Sequence, residues 1–340
     1  MKKTIYDVAK DMNLSPGTIS KILNYKGNVS QKTRNVVLNY VKKIGFVPDS
    51  SARILKAKRS STLGIVFSDI AHFGLEHPFF SSVLQNFKNY VEKLGYEIVF
   101  IVDSIGNQEL SYYKWCRVKK VDGVLIVTGN INRPNIIELV NSDIPSVSTD
   151  IYMDNLYSVI SDDYMGVKLA LDYAFDLGHK LIGCISGPLT TRAYYERLDA
   201  LENILKDDYQ IDFSREYFAE AKSYGYTGGY NATKEMLKKA KKVPEFIFAF
   251  SDELAFGVIR SLEEAGYRVP EDVSVMGFDD VYFAKRFTPA LTTIRQDKEQ
   301  IGERAAKKLL DIIDGKEKPV VQVERIPVSL VIRDSVKAKK

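Results

Sequence analysis

The chain has 340 residues, of which 45% are apolar and 27% are charged, a composition typical of a folded protein with two or three domains and not of a disordered chain. No apolar run reaches the roughly 18 residues that span a bilayer, and the first residues contain no signal-peptide core, so we expect a cytoplasmic protein. The net charge is +4, but residues 1–60 alone hold thirteen basic and three acidic residues. We call residues 1–60 the head and residues 61–340 the body. A basic head before a mildly acidic body predicts a polyanion as the partner of the head.

The head contains three helix patterns in succession. Thr4 can cap a helix over residues 5–12, Ser15 can cap a second over residues 16–23, and a third follows between residues 30 and 45. Apolar residues at helical spacing give each helix one buried face. Two short helices joined by a tight turn form a helix-turn-helix, and the third helix closes its core.

The second predicted helix exposes small and polar residues. Such residues suit the major groove, where base edges carry distinct donors and acceptors. The base-reading candidates are Gly17, Thr18, Ser20, Lys21 and Asn24. The phosphate-binding candidates, which would fix register and not sequence, are Lys2, Lys3, Ser30, Lys32 and Arg34. Together with the local charge, these patterns predict that the head binds duplex DNA.

The body alternates between strand and helix patterns. The predicted strands cover residues 63–67, 97–102, 121–127, 146–148, 181–186, 246–250 and 273–278. The predicted helices cover residues 80–94, 109–118, 136–140, 167–177, 197–205, 230–240 and 255–265. This alternation predicts parallel sheets with helices on both faces, in two α/β lobes. The arrangement resembles periplasmic sugar-binding proteins, with a ligand cleft beyond the carboxyl ends of the strands.

Four segments of the head resemble the LacI/GalR family of bacterial repressors. They read TIYDVA at positions 4–9, LSPGTISKILN at 14–24, VSQKTR at 29–34 and FVPDSSARIL at 46–55. The resemblance implies a helix-turn-helix domain over residues 1–47, followed by a hinge helix and linker over residues 48–60 that fold on the operator. The DNA contacts that the resemblance adds are Thr4, Tyr6, Ser15, Pro16, Thr33, Ala52 and Leu55. Leu55 would wedge between bases in the minor groove.

The head departs from the family pattern at two places. Asn13 stands in the turn where glycine is frequent, although asparagine also tolerates a positive φ. Pro16 and Gly17 offer almost no side-chain hydrogen bonds to bases. The operator sequence therefore stays open, and we expect DNA shape to contribute to its recognition.

The body resembles the same family along most of its length. The matching segments read HPFF at 77–80, DDYMG at 162–166, LGH at 177–179, GPL at 187–189, SDELAFG at 251–257, VPEDVSVMGFDD at 269–280 and FTPALTTI at 287–294. The resemblance implies that residues 61–340 bind an effector and dimerise. Lobe one would cover about 62–160 plus 293–318, and lobe two about 161–292 plus 319–334.

The resemblance also implies a set of effector-binding residues. They are Phe79, Phe80, Asp162, Arg197, Tyr224, Asp252 and Asp279. Asp279 would accept hydrogen bonds from ligand hydroxyls or ring nitrogens, Arg197 would donate two, and the aromatic rings would lie against a flat ligand face. A sugar or sugar phosphate is the first expectation for the ligand, with a purine or nucleoside as the alternative.

These features together predict a homodimeric repressor of sugar-utilisation genes, located at the nucleoid when it is bound to a near-palindromic operator. A purine-responsive regulator of the same architecture is the alternative. A solute-binding protein is opposed by the basic head. An enzyme is opposed by the absence of GxxxxGK[ST] and GxGxxG motifs, and the glycine cluster at 225–229 is expected to be a loop. Cys116, Cys184 and the histidines lack metal-site spacing, so we expect no metal and no cofactor.

Overall fold

The computed structural model of the chain describes residues 3–23, 27–46, 59–68, 74–316 and 322–339. It divides into two compact units, Met1–Ser61 and Thr62–Lys340. Among the described residues, no helix is both long enough and apolar enough to cross a membrane.

The head folds as three helices, α1 (Ile5–Asp11), α2 (Pro16–Leu23) and α3 (Gln31–Lys43). Thr4 caps α1 through a reciprocal pair of hydrogen bonds with Asp7. This capping box gives partners to two N–H groups that have none within the helix. Asn13 occupies the turn before α2 with a φ of +48°, as its identity predicted. The second helix has the bounds that its cap and apolar pattern predicted.

A small apolar core holds the three helices together. Its buried members are Val8, Ala9, Ile19, Ile22, Val37 and Val41. The helical spacing of apolar residues in the sequence predicts that Val36 joins Val37 and Val41 in the buried stripe of α3, but this prediction is wrong, because Val36 is 52% exposed. Val37 and Val41 lie four residues apart and share the inward face, and the preceding position turns away from it by about 100°.

The body contains eight further helices and fourteen strands among its described residues. The helices are α4 (Pro78–Lys93), α5 (Tyr112–Lys119), α6 (Pro134–Val140), α7 (Asp163–Asp176), α8 (Arg192–Asp207), α9 (Gly225–Lys239), α10 (Asp252–Glu264) and α11 (Lys298–Ile313). The strands are β1 (Thr62–Phe67), β2 (Glu97–Ile101), β3 (Ser104–Ile105), β4 (Gln108–Glu109), β5 (Gly123–Thr128), β6 (Ser146–Ser148), β7 (Tyr157–Ser161), β8 (Ile182–Ser186), β9 (Phe218–Glu220), β10 (Phe246–Ala249), β11 (Ser274–Asp279), β12 (Thr292–Gln296), β13 (Gln322–Ile326) and β14 (Val328–Val331).

Twelve of these strands form two six-stranded sheets, one in each lobe. Lobe one has the order β13-β7-β6-β5-β1-β2, and lobe two has the order β14-β12-β11-β10-β8-β9. All neighbours run parallel except β14, which pairs antiparallel with β12. Apolar clusters cover the sheets, with Phe87 and Leu125 in lobe one and Phe248 and Phe278 in lobe two among the buried residues. The predicted two-lobed parallel architecture is confirmed.

The lobe boundaries differ from the predicted ones at two strands. Residues 293–318 were expected in lobe one, but β12 pairs with β11 in the sheet of lobe two. Residues 319–334 were expected in lobe two, but β13 pairs with β7 in the sheet of lobe one. Strand partners are set by contacts between distant segments, which the local pattern of a short strand does not encode.

Two local predictions are also wrong. The helix expected over 109–118 begins only at Tyr112, after a Ser111 cap, because β3 and β4 form a small hairpin before it. The glycine cluster at 225–229 is not a loop but the first turns of α9. A Cβ on Gly229 would lie 2.1 Å from the carbonyl oxygen of Leu254 in α10, so glycine permits the close approach of these two helices.

Candidate functional site

The candidate base-reading residues lie at the start of α2. Ser15 Oγ accepts a hydrogen bond from the Thr18 N–H at 3.1 Å and lies 2.8 Å from Thr18 Oγ1. Gly17 and Lys21 are exposed, and Thr18 and Ser20 are partly buried. The turn therefore presents short side chains and one lysine to solvent, which is the shape that a major groove admits.

Other predicted head contacts occupy the starts of α1 and α3. Tyr6 on α1 is 71% exposed. Ser30 caps α3 by accepting from the Thr33 N–H at 3.2 Å, beside the exposed Lys32. Helix N-termini with small hydroxyl caps are suited to phosphate oxygens.

Two of the basic phosphate candidates have structural partners. Arg34 Nη1 donates to the carbonyl oxygen of Ile22 at 3.4 Å and so ties α3 to the end of α2. Lys3 Nζ lies 2.5 Å from Asp11 Oδ2. The predicted contacts Asn24, Ala52 and Leu55 lie outside the described residues, as do Lys2 and residues 48–58 of the expected hinge.

A cavity of about 380 Å³ lies between the two sheets of the body and is lined by both lobes. Five of the seven predicted effector residues line it: Phe79, Phe80, Arg197, Tyr224 and Asp279. Phe79 is 8% exposed and also belongs to the core of lobe one. Its ring packs edge-on against Phe80, with centroids 5.2 Å apart. Across the cavity, the Tyr194 and Tyr224 rings lie 6.2 Å apart. A flat ligand would meet aromatic rings from both lobes.

Asp162 and Asp252 do not line the cavity, and both have structural roles. Asp162 caps α7 by accepting from the Met165 N–H at 3.0 Å. Asp252 is fully buried, where it accepts from Thr293 Oγ1 at 2.5 Å and from the Val281 N–H at 2.8 Å. Burial and the nearby Asp279 raise the pKa of Asp252 to about 8. Asp162 is thus a helix cap, and Asp252 is a buried hydrogen-bond acceptor that joins Thr293 to Val281.

The fully buried Asp163, one residue after the predicted Asp162, organises the cations of the cavity. Its Oδ1 accepts from Arg197 Nε at 2.7 Å, and its Oδ2 accepts from Arg192 Nη1 at 3.0 Å. Burial acts to raise the pKa of Asp163, but the two guanidinium groups outweigh it and hold the pKa below its ordinary value. Arg197 Nη1 also donates to the carbonyl oxygen of Phe250 at 2.5 Å, and its guanidinium lies 3.5 Å from the Phe278 ring centroid.

Arg192 and Glu196, one turn apart on α8, connect the two lobes. Arg192 Nε donates to the carbonyl oxygen of Asp150 at 2.6 Å, and its Nη1 donates to Glu196 Oε2 at 2.6 Å. Tyr152 of lobe one donates to Glu196 Oε1 at 2.8 Å. These residues could not be predicted from the sequence, because nothing in a local pattern marks a side chain that bridges two lobes.

Asp279 ends β11 and faces the cavity with a φ of +129°, in the region that favours glycine. Its Oδ1 accepts from Gln296 Nε2 at 2.5 Å, and its carbonyl oxygen accepts from Lys298 Nζ. Burial raises the pKa of Asp279 to about 6. A strained, buried carboxylate at a cavity wall is typical of a binding site.

Comparisons with known proteins agree with this architecture. Residues 4–49 match the pattern described as bacterial regulatory proteins of the lacI family, and residues 171–336 match a periplasmic binding protein-like domain. The HTH-type transcriptional repressor PurR of Vibrio vulnificus is 30% identical over 339 residues, which are 98% of each chain. The Lac repressor dimer, solved with operator and the anti-inducer ONPF, superposes with a TM-score of 0.82 at 25% identity and covers 99% of this chain and 100% of its own.

A LacI-family regulator from Enterococcus faecium, solved with bound ribose, superposes on the body. Its TM-score is 0.70 at 30% identity, over 82% of this chain and 100% of its own. The similarity to PurR and to the Lac repressor extends over both the head and the body. The chain therefore belongs to the LacI family of bacterial regulatory proteins and is a DNA-binding transcriptional repressor rather than an enzyme.

Proposed function

We propose that this repressor is a homodimer whose affinity for a near-palindromic operator is set by a small ligand in the cavity between the lobes. The observation that carries the proposal is that both lobes line the cavity. A ligand held there contacts both lobes, so it favours one of their relative orientations over the others. Two heads on a symmetric dimer would read two half-sites of the operator.

The proposed ligand contacts follow from the cavity wall. Asp279 would accept hydrogen bonds from the ligand, Arg197 would donate from the side of its guanidinium that Asp163 leaves open, and Phe80 and Tyr224 would lie against its faces. Phe79 would complete the aromatic wall of lobe one. Asp162 and Asp252 are not part of this proposal, because Asp162 already caps α7 and Asp252 already accepts hydrogen bonds inside the protein.

A purine or nucleoside is the effector class that we propose first. Repressors named PurR, from Vibrio, Haemophilus and Pasteurella species, are 29–30% identical over 98–99% of the chain. A planar base would fit between the rings of the two lobes, with an N–H donated to Asp279. A sugar stays the second candidate because of that ribose-bound neighbour, which has the same 30% identity.

Selection of bound duplexes from a random library by the full-length chain tests the DNA-binding part. We expect enrichment of a near-palindrome that binds at least a thousandfold more tightly than a scrambled duplex. We also expect the affinity to fall steeply with salt, because each neutralised phosphate releases counterions. Enrichment of no sequence, or an affinity that does not change with salt, would contradict this assignment.

Ligand affinity should depend on pH through Asp279. This carboxyl faces Arg197, Lys298, Asp163 and the buried Asp252. With a pKa of about 6, it is ionised and accepts hydrogen bonds at pH 7, and it becomes protonated as the pH falls. Titration calorimetry should therefore give an affinity that weakens by up to about tenfold for each pH unit below the pKa. The Asp279→Asn variant should bind weakly and without this dependence, and a wild-type affinity that is equal at pH 7 and pH 5 would rule out the contact.

A further inference from the structure

The charged side chains that line the cavity differ in how far other residues of the protein already neutralise them. Arg192, Arg197, Asp150 and Asp279 line it, together with His77, and no lysine does so among the described lining residues. The charges of the two arginines are neutralised by carboxylates that do not line the cavity. The two aspartates face the cavity itself, so their charges are the ones that a ligand meets first.

Each arginine is already engaged by the protein. Asp163 accepts from both guanidinium groups, at 2.7 Å from Arg197 Nε and 3.0 Å from Arg192 Nη1. Arg192 also bonds Glu196 and the carbonyl oxygen of Asp150. A ligand phosphate needs a cation that it can neutralise. Here Asp163 and Glu196 already neutralise the charge of both guanidinium groups, so a phosphate that accepted from their remaining N–H groups would have its own buried charge left largely uncompensated.

The aspartates would repel an anion at close range. Gln296 donates to Oδ1 of Asp279. No described side chain donates a hydrogen bond to Oδ2 of Asp279. Asp150 Oδ2 accepts from Thr128 Oγ1 at 2.6 Å, which is a neutral donor. Since Asp279 is buried and Asp150 is partly buried, their field is screened less than that of surface charges and acts on a charge placed in the cavity.

Three helices begin at the cavity and could favour an anion. α4 starts after His77, α8 after Thr191 and α9 after Tyr224, and none of these cap residues makes a side-chain cap bond in the described part of the chain. A helix N-terminus carries about half a positive charge, so the three together amount to about one and a half. Against them stand Asp279, which is mostly ionised at pH 7 because its pKa is about 6, and Asp150, whose pKa is raised by burial. The two carboxylates therefore offset most of the attraction that the helix starts offer to an anion.

Neutral donors and acceptors remain for a ligand. Ser161 lines the cavity and is 3% exposed, and its hydroxyl has no partner among the described residues. A buried hydroxyl without a partner costs free energy that a ligand N–H or hydroxyl could recover. The N–H groups at the helix starts suit ligand hydroxyl, ether or carbonyl oxygens.

We propose that the cavity selects an uncharged effector with several N–H or O–H donors, and discriminates against phosphorylated forms of the same compound. This proposal rests on the proposed function and narrows it, because it keeps free nucleosides and sugars and excludes nucleotides and sugar phosphates. The Asp279 carboxylate is the residue that we expect to contribute most to this discrimination.

Matched pairs that differ by one phosphate test the proposal. The probes are adenosine and guanosine with their 5′-monophosphates, ribose with ribose 5-phosphate, and glucose with glucose 6-phosphate. Thermal shift of the full chain reports binding, because a ligand of the folded state raises its melting temperature, and titration calorimetry then gives the affinities. We expect the neutral member of any pair that binds to be at least tenfold tighter. We expect inorganic phosphate to give no shift beyond that of chloride at equal ionic strength.

A charge variant with a matched control ties the result to the cavity. Asp279→Asn should reduce the ratio between neutral and phosphorylated affinities, because it removes the repelling charge. Asp212→Asn, at an exposed position of lobe two, should leave the ratio unchanged. Equal or tighter binding of a phosphorylated member, or a specific shift with inorganic phosphate, would overturn the proposal and leave the repressor function intact. Binding of no probe would overturn the nucleoside and sugar effector classes and this inference together.

Discussion

Replacing Asp163 by asparagine should lower the free energy of unfolding of the body by about 3–5 kcal/mol, the cost of removing one partner from a buried ion pair. Asp163 is fully buried and accepts from both Arg192 and Arg197, so its loss leaves two guanidinium groups without their shared carboxylate. At about 2–4 °C per kcal/mol, calorimetry should show a melting temperature lower by roughly 10 °C. Ligand binding should weaken as well, because Arg197 loses the bond that orients it.

The neighbouring Asp162→Asn variant is the control for this result. Asp162 caps α7 with one side-chain bond to the Met165 N–H, and asparagine is about as good a cap as aspartate. We therefore expect a change in the free energy of unfolding within about 0.5 kcal/mol. Equal melting temperatures for the two variants would contradict the role given to Asp163.

Replacing Ile19 by alanine should abolish tight operator binding. Ile19 is fully buried in the head core, and truncation of a buried isoleucine costs about 2–5 kcal/mol. A domain of the size of the head has only a few kcal/mol of stability in total. Anisotropy titration should then give an operator affinity at least tenfold weaker, because only the folded fraction of the heads binds. The melting of the body should not change.

Val36→Ala is the control for the head. Val36 lies on α3 and is 52% exposed, so its truncation should change the free energy of unfolding of the head by less than about 0.5 kcal/mol and leave operator affinity unchanged. Wild-type operator affinity in the Ile19→Ala variant would show that the three-helix core does not support DNA binding.

The head could be predicted from its sequence almost residue by residue, because its signals are local. The Thr4, Ser15 and Ser30 side chains each bond an N–H three residues later, and such caps are visible in a short window of sequence. The prediction for Val36 was wrong because this apolar residue lies next to the buried stripe of α3 and was counted as part of that stripe.

The alternation of the body could also be predicted, but its strand partners could not. β7 is fully buried, yet its five residues, YSVIS, lack a pattern that distinguishes a strand from a loop. β12 and β13 are placed by pairing with strands that lie far away in the chain. The start of α9 was predicted to be a loop because glycine has a low helix propensity. The glycines are helical in the structure because they allow α9 to pack closely against α10.

The cavity could be predicted only as far as the family resemblance reached. Asp279 and Arg197 came from matching positions, and both line the cavity. The motif at 162–166 suggested Asp162, but the carboxylate that holds the arginines is Asp163, since the first residue of the pair is used as a cap. Arg192, Tyr152 and Glu196 meet only when the two lobes come together, and a single sequence contains no local sign of that contact.

The most direct test of the account is the operator affinity of the full chain with and without its effector. The duplex is the one enriched by selection, and the effector is the tightest of the neutral probes. Because the ligand contacts both lobes, we expect it to change the dissociation constant for the operator by about 5–150-fold, the usual range of coupling between two sites. The same affinity with the cavity empty and saturated would contradict the claim that the body controls the head.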